Sequence, residues 1–89
     1  MRFLLTMHMP TRAPDSGTPD NLVHQMHVEH KQSNSLADFV EAISQRDFVI
    51  VEEFYRDPQT GSYYSRGNLA INCLHIGKIK IFDMQPQRI

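Results

Sequence analysis

The chain has 89 residues, 40% of them apolar and 21% charged, with nine basic against ten acidic side chains and a net charge of −1. That length holds one domain with one modest core, and a domain this small buries only about 60–65% of the surface its unfolded chain exposes. The near-neutral balance argues against a protein built to grip a phosphate backbone, which needs a basic excess, and it leaves little repulsion between copies.

Residues 2–9 alternate. Phe3, Leu5, Met7 and Met9 share one face, and Arg2, Thr6 and His8 share the other with Leu4. Period-two spacing of this kind predicts a half-buried strand, expected to stop at Pro10. The stretch fails as a secretory signal, because Thr6 and His8 break its apolar run and no small-residue cleavage site follows. No run approaches the roughly 20 apolar residues of a membrane span, so a soluble cytoplasmic chain without a membrane partner is expected. Residues 10–20 hold three prolines, one glycine and no large apolar side chain, the composition of a mobile loop.

Residues 24–30, His-Gln-Met-His-Val-Glu-His, carry three of the five histidines. As a strand, Leu22, His24, Met26, Val28 and His30 share one face, opposite Val23, Gln25, His27 and Glu29. As a helix capped by Asp20, Leu22, Val23 and Met26 form a short stripe. Two valines and the alternation favour the strand. Zinc takes its nitrogen ligands at about 2.0–2.1 Å, whereas a strand rising about 3.3 Å per residue sets His24 and His30 roughly 20 Å apart with His27 on the far side. Only a helix brings the three together. If residues 2–9 and 22–30 pair antiparallel, His8 lies opposite or diagonal to His24 at about 4.5–8 Å. That is half a site, needing His75 or a carboxylate to complete it. The favoured reading is partly exposed strand histidines that change charge near neutral pH, with no metal assigned.

Ser35 reads as a helix N-cap, with Asp38 three residues on in a variant of the capping box. Leu36, Phe39, Val40 and Ile43 follow as one apolar stripe, and the helix is expected to end near Gln45 or Arg46. Residues 47–55, DFVIVEEFY, form the strongest strand. Phe48, Ile50 and Phe54 face one way, Val49, Val51 and Tyr55 the other, so a central strand is expected. Pro58 and Gly61 in RDPQTGS predict a hairpin connection. Strand resumes over 63–76, bent or bulged at Gly67, with Leu69, Ile71 and Cys73 on one side and Ala70, Leu74 and Ile76 on the other. A turn or bulge at Gly77 then leads into KIKIF, where outward Lys78 and Lys80 deter unwanted pairing. Cys73 is the only cysteine, so no internal disulfide forms, and it reads as a small buried hydrophobe. Residues 71–79, INCLHIGKI, resemble the strand-turn-strand endings of several small bacterial β-barrel proteins.

Catalytic and cofactor motifs are missing. TGSYYS lacks the second glycine of a nucleophile elbow, and four scattered glycines make neither a phosphate loop nor a dinucleotide fingerprint. Glu52 and Glu53 are neighbours on a strand and point to opposite faces, so they form no facing carboxylate pair. The cluster Tyr55, Arg56, Tyr63, Tyr64 and Arg66 gathers at one end of the sheet. These are residue types that interfaces over-use and on which single strands of nucleic acid stack, and they also pin hairpin register as cross-strand pairs.

Together the elements make one α+β domain over residues 1–89. A mostly antiparallel sheet in the order β-β-α-β-β-β is covered on one face by one helix. A helix of about eleven residues covers only part of one face, so the second apolar face of the Phe48 strand has to be buried by loop 10–20, by curvature toward a small barrel, or by another copy. The expected function is non-enzymatic: protein interaction or self-assembly, as a homodimer or larger assembly, with no cofactor. A single-stranded nucleic-acid module using Tyr55, Tyr63, Tyr64 and Arg66 is the first alternative, and a histidine metal site the second.

Overall fold

The alternation of residues 2–9 becomes β1 (Arg2–Thr11), and the histidine-rich stretch becomes β2 (Asp20–Glu29), its antiparallel partner along the whole length. The computed structural model describes residues 1–11 and 20–84. Beyond these two strands lie α1 (Leu36–Ser44), β3 (Phe48–Arg56), β4 (Tyr63–Asn72), a 3₁₀ turn (Cys73–His75) and β5 (Ile76–Ile81). All five strands form one antiparallel sheet in the order β4-β3-β2-β1-β5, the α+β arrangement expected from the sequence.

Two departures from the expected strands bear on the fold. β1 continues through Pro10, opposite Asn21, to Thr11, opposite Asp20. Proline is tolerated there because β5 pairs with β1 only from Phe3 to Met7. Past Met7 β1 is an edge, where a missing N–H costs no ladder bond. The loop expected at 10–20 is therefore shorter, and its residues 12–19 lie outside the described residues.

The second difference is the strand expected over 63–76, which breaks after Asn72. The Asn72 Oδ1 accepts from the Leu74 N–H at 3.0 Å and closes the 3₁₀ turn in place of a ladder bond. Gly77 meets the bulge half of its expectation: inside β5 the register with β1 steps from Thr6↔Lys78 to Met7↔Ile76 and skips it, and the His8 ring lies where a Cβ would stand. Gly67 meets its expectation: it has φ 91°, and the β3–β4 register shifts between Glu53 and Phe54, the signature of a bulge. Gly61 (φ 72°) closes the hairpin after Pro58, with its N–H donating to the Asp57 carbonyl at 2.8 Å.

The 3₁₀ turn sets the shape of the sheet. In a flat sheet, four strand spacings of about 4.8 Å would put β4 and β5 about 19 Å apart. The four Cα steps from Asn72 to Ile76 span at most about 14 Å, and less in a 3₁₀ turn. The sheet therefore coils, bringing its two edges toward each other at this end without pairing them.

One face of the coiled sheet supplies the core. Phe3, Leu5 and Met7 of β1, Val28 of β2, Val49 and Val51 of β3 and Ile71 of β4 are buried there. Helix α1 adds Phe39, whose ring stacks on Phe3 with centroids 4.6 Å apart. Its N-terminus is capped as the sequence predicts, the Ser35 Oγ accepting from the Asp38 N–H at 3.1 Å. The reciprocal arm differs, because the Asp38 Oδ2 accepts from the Asn34 N–H at 2.9 Å. Leu36 and Ile43 are half-buried and Val40 is exposed, so this nine-residue helix seats one side chain deeply. Among the described residues no helix is long and apolar enough to cross a membrane.

Phe39 joins helix to sheet, so Phe39→Ala is expected to cost about 3–5 kcal/mol. Val40→Ala, one residue on and exposed, is expected to change stability by less than about 0.5 kcal/mol. Urea unfolding of the two variants separates these outcomes.

Candidate functional site

An extended backbone sends the three clustered histidines to three different places. His24 lies on the core face opposite Met7, half-buried, and its Nδ1 has no hydrogen-bond partner among the described residues. It lines an apolar groove of 480 Å³ with Met7, Met26, Phe48, Ile71 and His75. His27 lies on the opposite face, its ring centroid 4.9 Å from both Tyr63 and Phe82. Burial, and then the Arg56 charge, hold its pKa below the ordinary histidine value. His30 follows the strand and is buried. Its Nδ1 is 2.6 Å from the Ser33 Oγ, and its ring meets the Phe39 ring edge-on at 5.3 Å. Its pKa is lowered by burial first, then by the Met1 ammonium and Arg46.

The half-site imagined between His8 and His24 does not form. The register places Met7 opposite His24 and Val23 opposite His8, so the two imidazoles leave opposite faces of the sheet. Among the described residues no group of three or more His, Cys, Asp or Glu side chains is placed to hold a metal ion.

The tyrosine–arginine cluster divides in the same way. Tyr55 and Tyr64 are cross-strand partners with ring centroids 5.6 Å apart, and the Arg66 guanidinium lies 4.8 Å from the Tyr55 ring. Tyr63 packs instead with His27 and Phe82, and Arg56 is its cross-strand partner. Tyr55, Tyr64 and Arg66 thus stand together, apart from Tyr63 and Arg56. Glu52 and Glu53 also separate: Glu52 accepts from the Ser65 hydroxyl at 2.6 Å and lies 4.0 Å from Lys31 Nζ, whereas Glu53 stands opposite Val28. The Cys73 thiol is half-buried, and burial together with the Asp47 carboxylate pushes its pKa up, away from nucleophilic character.

The feature that sequence reasoning missed is the contrast between the two sheet edges. β5 spans six residues and carries Lys78 and Lys80. β4 spans ten residues, and its stretch Asn68–Asn72 has no charge. Beside it on β3, Ile50 (66% exposed) is the partner of Ala70, and Phe48 (57% exposed) is the partner of Asn72. On the second apolar face of the Phe48 strand, expected to be covered, Phe48 and Ile50 are open among the described residues, whereas Phe54 is half-buried with the Arg2 guanidinium 4.8 Å from its ring. Alternation alone does not say which strand is outermost, so nothing in the pattern marked β4 as an edge.

The two lowered histidines couple folding to pH. Their folded-state pKa values lie below the unfolded value of about 6.5, so the unfolded chain takes up protons first as pH falls. This contribution to stability is complete above about pH 6.5 and is lost as pH drops through the folded-state values. Melting temperature is expected to decline from about pH 7.5 to 5.5, and His27→Asn or His30→Asn to flatten that slope. A pH series of thermal unfolding curves for the three proteins checks both statements.

Comparison with models of protein families, with curated proteins and with solved structures gives no match for this chain.

Proposed function

We propose that the chain is a non-catalytic binding module that self-assembles by strand addition at the β4 edge. An edge strand presents a row of unpaired N–H and C=O groups, which proteins guard with short length, lysines, proline or bulges. β5 has the first two devices. The β4 bulge at Gly67 lies to one side, and Asn68–Asn72 has none of them.

One observation carries the reading: an unguarded edge lies beside the exposed apolar side chains Phe48 and Ile50. In strand addition, main-chain hydrogen bonds supply affinity and flanking side chains supply specificity. A net charge of −1 opposes such an association only weakly. The separated Glu52 and Glu53 and the raised Cys73 thiol favour binding over catalysis.

Sedimentation equilibrium at high micromolar concentration tests this. The wild-type chain is expected to self-associate, and Ala70→Lys to weaken association at least about tenfold, ~1.4 kcal/mol, with its circular dichroism unchanged. A wild-type chain that stays monomeric overturns the proposal.

A further inference from the structure

We infer that the strand added to β4 is β4 of a second copy, paired antiparallel about a two-fold axis at Ala70. The inference rests on the reading of β4 as a self-assembling edge and adds the partner strand and the register. Its basis is a symmetry in the chain itself. The unguarded stretch reads Asn68-Leu69-Ala70-Ile71-Asn72, polar, aliphatic, small, aliphatic, polar, and keeps that pattern when read backwards. An antiparallel pair centred on Ala70 sets Asn68 opposite Asn72 of the second copy, Leu69 opposite Ile71, and Ala70 opposite its own counterpart. Such an isologous contact closes on itself as a dimer.

Each rung of this ladder suits its place in the fold. Leu69 and Ile71 pair with Val51 and Val49 and so lie on the core face. Both border the 480 Å³ apolar groove beside β4, and the same two side chains of the second copy enter it. On the other face, Ala70 adjoins the exposed Ile50, so the alanine pair joins two open apolar patches across the seam. Asn72 spends its Oδ1 on the Leu74 N–H, which leaves its NH₂ to donate to the Asn68 Oδ1 of the second copy.

Charge separates this pairing from the head-to-tail choice, β4 against β5 of a second copy. That contact brings Lys78 and Lys80 beside a strand whose one charged side chain is Arg66, with no carboxylate on it to meet them. The two-fold pairing sets no charged residue opposite another within Asn68–Asn72. The seam is short: five rungs span about 17 Å, and a sheet about 10 Å thick then gives ~170 Å² of flat contact. A standard stable interface takes about 800 Å² per partner, so the dimer is weak and concentration-dependent.

Disulfide trapping reads the register directly. Paired residues in an antiparallel ladder have Cα atoms about 4.5–5.5 Å apart, within the range a disulfide spans. In a Cys73→Ser background at high micromolar concentration, Ala70→Cys is expected to oxidise to a covalent dimer. Asn68→Cys, whose two copies stand about 13 Å apart along the seam, is expected not to. Two results overturn the two-fold inference while leaving β4 a binding edge: a wild-type chain that self-associates while the Ala70→Cys variant forms no 70–70 disulfide, or preferential cross-linking of Ala70→Cys to Lys78→Cys. A wild-type chain that is monomeric by sedimentation overturns both, whatever position 70 cross-links to.

Discussion

Cys73–His75 ties together two strands that lie at opposite edges of a five-stranded sheet. Three residues are too few to bridge a flat sheet of that width, so the sheet coils, and the coil decides which face becomes interior. Phe3, Leu5, Met7, Val28, Val49, Val51 and Ile71 fill the concave side, and the short helix needs only Phe39 to complete it. The Asn72 carboxamide, which accepts from the Leu74 N–H, is a small polar contact at the point where the chain leaves one edge of the sheet for the other.

Local signals in the sequence carried much of this architecture. Ser35 and Asp38 marked the helix start because capping is a contact within four residues, and Pro58 with Gly61 marked the hairpin for the same reason. The strand character of residues 24–30 followed from alternation, and with it the dispersal of the histidines. The break at residues 73–75 was hidden, because Ile71, Leu74 and Ile76 keep apolar spacing through it while the signal was one asparagine side chain. Gly77 was marked as a turn or bulge and is a bulge, but the strand it bulges against, which brings the His8 ring beside it, lies almost seventy residues away. The order of strands across the sheet depends on such distant pairings, so the open edge at Asn68–Asn72 was not legible.

The two faces of β3 show how the candidate surface arises from the same coil. Val49 and Val51 are drawn inward, and Phe48 and Ile50 are thereby turned outward at the rim next to β4. The tyrosine pair at the far end of the hairpin has a different local logic, since the bulge at Gly67 resets the register and lets Tyr55, Tyr64 and Arg66 stack among themselves. One hairpin therefore holds two surfaces of distinct chemistry, aliphatic at one end and aromatic-cationic at the other.

The placement of the aromatic residues also governs what light can report. The chain has no tryptophan, and its three tyrosines, Tyr55, Tyr63 and Tyr64, all lie in the β3–β4 hairpin. Tyrosine fluorescence and the tyrosine bands of near-ultraviolet dichroism accordingly watch that hairpin, the phenylalanine bands also carry the Phe3–Phe39 interior, and far-ultraviolet dichroism averages over every strand. Coincident transitions by these probes would mark a cooperative unit, and an early tyrosine signal would mark a hairpin that peels away first.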